Sequence, residues 1–354
     1  MSARYWQFWE SNWWPDFPSS AAQAEYFFKA RYGIEPDGVI AVDQSMVRQL
    51  LKVTGPVQVP GFDEVVEAGN VQERLEFHVH RADTPDPVRK SFVTALFGAV
   101  VGQSMHLPRD RMPDLSSALY DGFRAQRLQM WSRDDGVQQA LTTLHWDGRL
   151  LASSSDYLQV VSTNVSANKV NRDIEQVWDY AVTHRSGELT SAELTLRIRN
   201  TRTSDDPWPY ETAAYRDYLR VYVPSGARLV SAAGLESVPE TLNECGRTAF
   251  AGLVTVKPRE QREIRFTYVL PDPGSVEPYA LTVQAQPGSG PVDLSVTLAG
   301  DVSGTSRGAL EESTRFRVQS TGIERSPWRR IGESTAVPEI PCAVHSAPRD
   351  EKPP

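Results

Sequence analysis

Two arginines that lie close together in the sequence are well suited to bind a phosphate group. The basic segment 77–81 ends in Arg81, and Arg89 follows shortly after it. A guanidinium binds phosphate through two parallel hydrogen bonds, so Arg81 and Arg89 together suit a pyrophosphate. An ordinary solvated basic face is the alternative. His78 and His80 share a face only in a strand, so a helix here argues against a shared metal ion.

Asp16 is a second candidate, because Pro15 and Pro18 restrain the backbone around it. A carboxylate held in this way can bind Mg²⁺ through its oxygens. It can equally cap the helix predicted to begin at Ala21. The sequence leaves both roles open. Four further acidic candidates lie in the same part of the chain: Asp37, Asp43, Asp83 and Asp86.

An aromatic stretch from Tyr5 to Phe17 can stack on sugar rings or pack an N-terminal segment onto an α/β layer. A polar loop from Asn164 to Lys169 can bind a ligand through its amides and its lysine. Asn and Ser are also ordinary turn residues. The triplet Asn-Val-Ser in this loop fits a glycosylation acceptor, although nothing indicates a eukaryotic secretory context.

Charge and motifs exclude several classes of function. The formal net charge of −8 disfavours nucleic-acid binding, which requires clustered Lys and Arg. The sequence contains no G-x-S-x-G, P-loop, H-E-x-x-H or G-x-G-x-x-G motif, so common hydrolases, kinases and dehydrogenases have no local support. Cys245 and Cys342 lack metal-ligand spacing. They can form one disulfide in an oxidising compartment, and the sequence leaves this pairing open.

The first 60 residues alternate between helical and strand patterns. We predict a helix over Ala21–Tyr32, a buried strand over Gly38–Val42, a short helix over Ser45–Leu51 and a strand over Val57–Gly61. This order of elements is typical of an α/β layer.

Residues 67–150 are predicted to be mostly helical. One helix runs from Asn70 to His80, and another begins at Asp86 with an apolar stripe. The stripe consists of Phe92, Leu96 and Val100. Two more helices are predicted over Leu115–Trp131 and Gly136–Leu144.

From residue 156 the pattern changes to the two-residue alternation of strands. Turn residues separate the strands at the spacing of an Ig-like sandwich. The predicted strands are 157–161, 176–182, 192–199, 218–223, 249–256, 262–270, 279–286, 292–298 and 315–319. We therefore predict an α+β protein in which a partial α/β segment precedes an antiparallel β-sandwich.

The predicted domains are 1–153, 156–320 and a tail, 321–354. The tail is rich in Pro, Ser and charge and is expected to be disordered. The longest nearly apolar run, Ala95 to Val101, is far shorter than the roughly 20 residues of a membrane span. No signal peptide is expected at Met1 to Glu10.

Several separated motifs resemble the bacterial domain-of-unknown-function family 4012, over about residues 5–300. They are Asn12-Trp13-Trp14-Pro15-Asp16-Phe17-Pro18, 37–43, 50–57, His145-Trp146-Asp147-Gly148, Asn164 to Lys169, 215–224 and Gln284-Ala285-Gln286-Pro287-Gly288. This resemblance implies an extracytoplasmic cell-envelope protein with an N-terminal membrane anchor, associated with exopolysaccharide production. We expect this chain to be an N-terminally truncated form that lacks the anchor and the export signal.

The stretch from Asp37 to Val59 is also similar to the LytR-CpsA-Psr phosphotransferases, which transfer glycopolymers from polyprenyl pyrophosphate to peptidoglycan. By this resemblance Arg81 and Arg89 match the arginines of the pyrophosphate clamp. Lys90 stands where the family has a Gln. The family's N-terminal Asp and Arg motifs are expected upstream of Met1, which leaves the site incomplete.

These observations predict a catalytically incomplete envelope protein that assembles or binds surface polysaccharide. Arg81, Arg89 and Asp16 are its candidate pyrophosphate or glycan-binding residues. The expected partners are a polysaccharide or lipid-linked glycan and envelope assembly proteins. The alternative is a glycopolymer phosphotransferase in a full-length parent, and only that alternative calls for a cofactor, Mg²⁺. A scaffold protein with no pocket near Arg81 is a third class.

Overall fold

The structure is a computed structural model. It describes residues 8–80, 86–153, 155–166, 168, 170–185, 187–203, 214–271, 279–319, 322–328 and 342, with the backbone alone at 79, 80, 86–90 and 319. The chain forms two compact units. One contains residues 24–148, and the other contains the described residues before 24 and after 148. The predicted first domain, 1–153, thus differs from the observed unit chiefly at residues 8–23.

Helices dominate the chain up to residue 148. They are α1 Phe17–Tyr32, α2 Gln44–Thr54, α3 Val71–His80, α4 Asp86–Met105, α5 Met112–Arg124 and α6 Asp135–Thr143. The strands here are β1 Gly38–Val42, β2 Val57–Gln58, β3 Val65–Val66 and β4 Leu128–Ser132. β1 pairs with β4 and β2 pairs with β3, both antiparallel. The predicted strands at 38–42 and 57–61 are therefore confirmed, the second over two residues.

One hydrophobic cluster forms the core of unit 24–148. The predicted stripe on α4, Phe92, Leu96 and Val100, is fully buried in it. α2 begins where its sequence predicts, because the Asp43 carboxylate accepts a hydrogen bond from the amide of Met46 at 2.7 Å.

Two predictions in this unit are wrong. The helix predicted over Leu115–Trp131 ends at Arg124, because Gln126 adopts a left-handed φ of 55° and the following residues pair with β1. Strand β1 is not buried: Ile40 is 59 % exposed. β1 belongs to a two-stranded sheet, so one of its faces stays in contact with solvent.

The second unit is a sandwich of two sheets. Its strands are β5 Asp156–Asn164, β6 Ile174–His184, β7 Ser191–Asn200, β8 Tyr215–Val223, β9 Arg228–Ala233, β10 Glu240–Glu244, β11 Arg247–Val256, β12 Gln261–Val269, β13 Ala280–Val283, β14 Val292–Gly300, β15 Gly304–Leu310, β16 Thr314–Gln319 and β17 Gly322–Pro327. One sheet has the order β10-β11-β8-β5-β13-β16-β17, and the other has the order β15-β14-β6-β7-β12-β9. Inward residues of both sheets share one hydrophobic core.

The predicted α+β composition is confirmed, and all nine predicted strands are present. The prediction of a purely antiparallel sandwich is wrong. β13 runs parallel to β5, and β14 runs parallel to β6. In each pair, one of the first two strands of the sandwich lies beside a strand from much later in the chain.

The tail is predicted to begin at residue 321, but some described residues beyond that boundary are ordered. β17 extends the seven-stranded sheet, and Trp328 is buried. Cys342 is 1 % exposed and forms a disulfide with Cys245. The remaining tail residues lie outside the described part of the chain.

Candidate functional site

The predicted pair of arginines, Arg81 and Arg89, lies mostly outside the described residues. Arg81 is not among the described residues, and only the backbone of Arg89 is described, in α4. His78 from the same basic segment serves the core of its unit. Its ring stacks on Phe92 with a centroid distance of 3.7 Å, and its Nε2 lies 2.7 Å from Glu64 Oε1. The binding role of Arg81 and Arg89 stays a prediction.

Asp16 caps α1. Its Oδ2 accepts hydrogen bonds from the Ser19 amide at 3.2 Å and the Ser19 hydroxyl at 2.7 Å. Its Oδ1 accepts a third from the Leu150 amide at 3.1 Å. Burial raises the pKa of the Asp16 carboxyl, although these hydrogen bonds oppose that shift. The capping role is therefore observed, and a ligand-binding role for Asp16 stays a prediction.

The aromatic N-terminal segment packs against the β-sandwich. Residues Phe8–Trp13 form a 3-10 helix. The Trp13 ring stacks on Tyr218 of β8, with 5.8 Å between the centroids and 20° between the planes. Packing was one of the two roles predicted for this segment. The prediction that it packs onto an α/β layer is wrong for Trp13, which packs onto the sandwich.

Arg220 of β8 lies beneath Trp13 and is 1 % exposed. Its guanidinium carbon is 4.4 Å from the centre of the Trp13 ring, and its Nη2 donates to the Trp13 carbonyl at 2.9 Å. Its Nη1 donates to the Tyr222 hydroxyl at 3.1 Å and lies 3.7 Å from Glu244 Oε2. This buried cation is thus held by an aromatic face, a carbonyl and a carboxylate.

Two tyrosines flank this arginine on β8, and the hydroxyl of each donates to a glutamate. The Tyr222 hydroxyl donates to Glu244 at 2.6 Å, and the Tyr218 hydroxyl donates to Glu240 at 3.4 Å. Burial raises the pKa of both tyrosines, with nearby glutamates adding to the shift. Both phenols therefore remain neutral donors at physiological pH. We call Trp13, Tyr218, Arg220, Tyr222 and Glu244 the Arg220 cluster.

Strand alternation explains why this cluster lies on the outer face of the seven-stranded sheet. Leu219 and Val221 point into the core shared by the two sheets. Tyr218, Arg220 and Tyr222 alternate with them and point outward. The sequence contains this signal, an arginine between two tyrosines at spacing two, but alternation alone does not reveal what covers the face.

The same outer face has a second buried cluster near the start of β5. It consists of Leu150, Leu151, Tyr157, Val161, Tyr222, Ala249 and Trp328. The Arg247 guanidinium lies 4.0 Å from the centre of the Tyr157 ring and donates to the Leu151 carbonyl at 2.6 Å. The N-terminal segment, residues 150–151 and Trp328 therefore all cover one sheet face.

Inside the sandwich, two buried carboxyl groups accept hydrogen bonds. Asp156 Oδ2 accepts from the hydroxyls of Tyr180 at 2.7 Å and Tyr279 at 2.5 Å. Asp217 Oδ1 accepts from the amide of Thr163 at 2.6 Å. Burial raises the pKa of both carboxyls to about 6, against the opposing effect of hydrogen bonds.

The loop after β5 is held by its own amides, where it is described. Asn164 Nδ2 donates to Asn168 Oδ1 and Asn171 Oδ1, both at 2.7 Å. The Ser166 amide donates to Asn164 Oδ1 at 3.0 Å. These contacts fit the turn role predicted for this loop. Lys169 lies outside the described residues.

Across the part of the chain that the structure describes, no three His, Cys, Asp or Glu side chains cluster as metal ligands do. Among the described helices, none has both the length and the apolar character that a bilayer crossing requires.

Comparison with known proteins yields one family. Residues 1–79 match the family model "Protein of unknown function (DUF4012)". This match supports the resemblance to that family over 79 of the 354 residues. No curated protein matches the chain.

Solved structures show only partial likeness. The M1 zinc metallopeptidase from Deinococcus radiodurans is 14 % identical with a TM-score of 0.22, over 36 % of this chain and 32 % of that chain. A mutant of that peptidase bound to a Tyr-Ser-Ala substrate is 14 % identical with a TM-score of 0.23, over 44 % of this chain and 42 % of that chain. This chain thus spans less than half of either structure. Likeness at this level does not extend to activity.

Proposed function

We propose that this chain is an extracytoplasmic part of a bacterial cell-envelope protein that binds or helps to assemble surface polysaccharide. The observation that carries the location is the disulfide between Cys245 and Cys342. Disulfides form and persist in oxidising compartments and are rare in the cytosol, where thiols are kept reduced.

The backbone conformation of Cys245 indicates that this residue is present because it forms the disulfide. Cys245 and Gly246 form the two-residue turn between β10 and β11, with φ angles of 52° and 68°. Such a turn favours Gly, Asn or Asp, because both central residues need a positive φ. A cysteine at this position accepts an unfavourable backbone conformation, and the disulfide provides the offsetting benefit.

The proposed link to polysaccharide follows from the resemblance to the domain-of-unknown-function family 4012 described above, and residues 1–79 match the model of that family. We also propose that the N-terminal part is LytR-CpsA-Psr-like and that the sandwich is Ig-like. In this proposal, Arg81 and Arg89 form a groove that binds lipid-linked glycan.

Gene deletion tests the proposed function. Loss of the gene from the source bacterium is expected to reduce or alter surface polysaccharide, and the wild-type gene is expected to restore it. Fractionation of the same cells is expected to place the protein outside the cytosol. Unchanged polysaccharide together with a cytosolic protein would contradict the proposal.

Titration calorimetry tests the groove. A short-chain prenyl pyrophosphate is expected to bind the full chain at least 10-fold more weakly after Arg81→Ala and Arg89→Ala together, since guanidinium–phosphate contacts are charge-assisted. The matched control is Arg124→Ala, an exposed arginine at the end of α5. Equal affinity for the prenyl pyrophosphate in the double variant and the control would show that the two arginines do not bind it.

A further inference from the structure

The outer face of the seven-stranded sheet carries buried charged and aromatic side chains that packing alone does not require. An outward-facing sheet surface is usually solvated, yet Arg220 in the middle of β8 is 1 % exposed. Apolar residues of similar volume would make an equally good or better contact for a covering segment, because a buried charge must be desolvated. The charged and aromatic composition of the Arg220 cluster therefore calls for another explanation.

Tyr218, Arg220 and Glu244 together provide what a sugar ring requires. The flat ring of Tyr218 can stack on the apolar face of a sugar. The guanidinium of Arg220 has only donors, and the carboxylate of Glu244 has only acceptors, so together they suit hydroxyl groups, which do both. A few polar groups placed around an apolar wall are typical of small-molecule sites.

Local charge indicates which sugars fit. Arg220 is the cation of the cluster. Glu244 Oε2 lies 3.7 Å from its Nη1, and Glu240 accepts a hydrogen bond from the neighbouring Tyr218 hydroxyl. One carboxylate next to the guanidinium and a second on Tyr218 disfavour a further negative charge. The surface therefore suits a neutral hexopyranose better than an acidic sugar.

Trp13 occupies the place that such a ring would take. Its indole is stacked on Tyr218 within 20° of parallel, and its carbonyl oxygen accepts from Arg220 at 2.9 Å. A hexopyranose would present an apolar C–H face to Tyr218 and a ring or hydroxyl oxygen as an acceptor for Arg220. The structure thus shows the surface filled by a group from its own chain.

Two buried donors on this face lack a partner among the described residues. They are Arg220 Nε and Gln159 Nε2. Gln159 is fully buried and lies directly opposite Tyr222 in the pairing of β5 with β8. A buried donor without an acceptor is costly, so the hydrogen-bonding groups of this face are incompletely satisfied. Hydroxyl oxygens of a ligand are suitable acceptors for both groups.

The covering segment also has an exposed side. Phe8 and Trp9 of its 3-10 helix are 53 % and 67 % exposed. A short 3-10 helix has weaker hydrogen-bond geometry than an α-helix, so this segment can move at lower cost than the strands beneath it.

We propose that the outer face formed by Tyr218, Arg220, Tyr222 and Glu244 is a binding site for neutral hexopyranose units, with Trp13 as its displaceable occupant. The identity of the sugar as part of a surface polysaccharide rests on the proposed function. The site itself rests on the geometry of the Arg220 cluster.

Binding to the full chain tests the site, with maltohexaose, cellohexaose and a galactohexaose as probes in titration calorimetry. Trp13→Ala is expected to bind at least one probe 10-fold or more tightly than the wild type, because the occupant is removed. Trp9→Ala is the matched control and is expected to bind as the wild type does. Adding Tyr218→Ala to Trp13→Ala is expected to abolish the gain.

Wild-type affinity in Trp13→Ala for all three probes would overturn the proposal. So would a gain that survives Tyr218→Ala. Melting curves of each variant show whether the sandwich is folded at the assay temperature.

Hydrogen exchange provides a second test in the wild type: saturating sugar is expected to speed exchange of amides 8–13 while those of β8 stay protected. Slower exchange at 8–13 would contradict displacement. Neither readout depends on disulfide state or on polysaccharide yield, so the proposed function can fail separately.

Discussion

The guanidinium of Arg220 is sandwiched between its own sheet and the indole of Trp13, a residue more than 200 positions earlier in the chain. This contact ties the N-terminal segment to the β-sandwich. It joins a cation–π interaction to a charge-assisted hydrogen bond with the Trp13 carbonyl.

Removal of the Trp13 ring should destabilise the sandwich. Trp13→Ala deletes the stacking on Tyr218 and the contact with Arg220, so we expect a loss of about 1–3 kcal/mol in the free energy of unfolding. Urea titration followed by circular dichroism measures it. Trp9→Ala, at an exposed site in the same segment, should change stability by less than about 0.5 kcal/mol. Equal effects of the two variants would show that the Trp13 contact is energetically neutral.

Loss of the disulfide should also destabilise this unit. Cys245→Ser frees the segment that carries Cys342, and native disulfides of this kind typically contribute about 2–4 kcal/mol. Cys342→Ser removes the same bond and should give the same loss, which calorimetric melting can compare. Wild-type protein in reductant should match both variants. Clearly different losses in the two serine variants would indicate contributions other than the disulfide.

Asp16 should contribute through its capping contacts. Asp16→Ala removes the acceptor for Ser19 and for Leu150, so we expect a loss of about 1–3 kcal/mol. Asp16→Asn keeps an amide oxygen and a good capping residue and should lose less. Thermal melting of the two variants measures the difference. An alanine variant as stable as the wild type would argue against capping as a structural role.

The buried carboxyl of Asp156 should make stability depend on pH. Its pKa is raised from 3.8 to about 6, so the folded chain holds this proton more tightly than the unfolded chain does. Its contribution is therefore fully present below about pH 4 and is lost as the pH rises through about 6. Asp217 has the same sign.

Asp156→Asn isolates this effect. Relative to the variant, the wild type should lose on the order of 2–3 kcal/mol of unfolding free energy between pH 4 and pH 7. Urea titrations at several pH values give this difference, and a constant offset from the lost hydrogen bonds does not affect the slope. Parallel curves for the two proteins would contradict the raised pKa.

Elements in the middle of each core were predictable from the sequence. The stripe of Phe92, Leu96 and Val100 has the helical period because one side of α4 is buried. Strand β14 alternates between buried and more exposed residues for the corresponding reason, since one of its faces lies in the core.

The four strands absent from the prediction are β9, β10, β15 and β17, and each lies at the edge of its sheet. An edge strand has a neighbour on one side only and buries less surface, so its sequence is under weaker apolar selection. β15 begins with Gly-Thr-Ser-Arg-Gly, which contains no apolar alternation. The pattern that identifies strands was therefore missing where burial was missing.

Long-range contacts were beyond the reach of local patterns. Nothing in the Trp13 segment indicates that Arg220 is its partner. The two cysteines allow one disulfide, between Cys245 and Cys342, but the sequence does not determine whether it forms. Side-chain period reports which face is buried, but it does not report which distant segment buries it. The capping role of Asp16 was accessible, because a cap acts within one turn of its own helix.

The most direct test of the extracytoplasmic assignment is the thiol state of the protein in its own cells. Cells are lysed in denaturant with an alkylating reagent that blocks free thiols, and the protein is digested and analysed by mass spectrometry. The extracytoplasmic assignment predicts one peptide pair joined through Cys245 and Cys342, with neither cysteine alkylated. Full alkylation of both cysteines in protein from growing cells would contradict it.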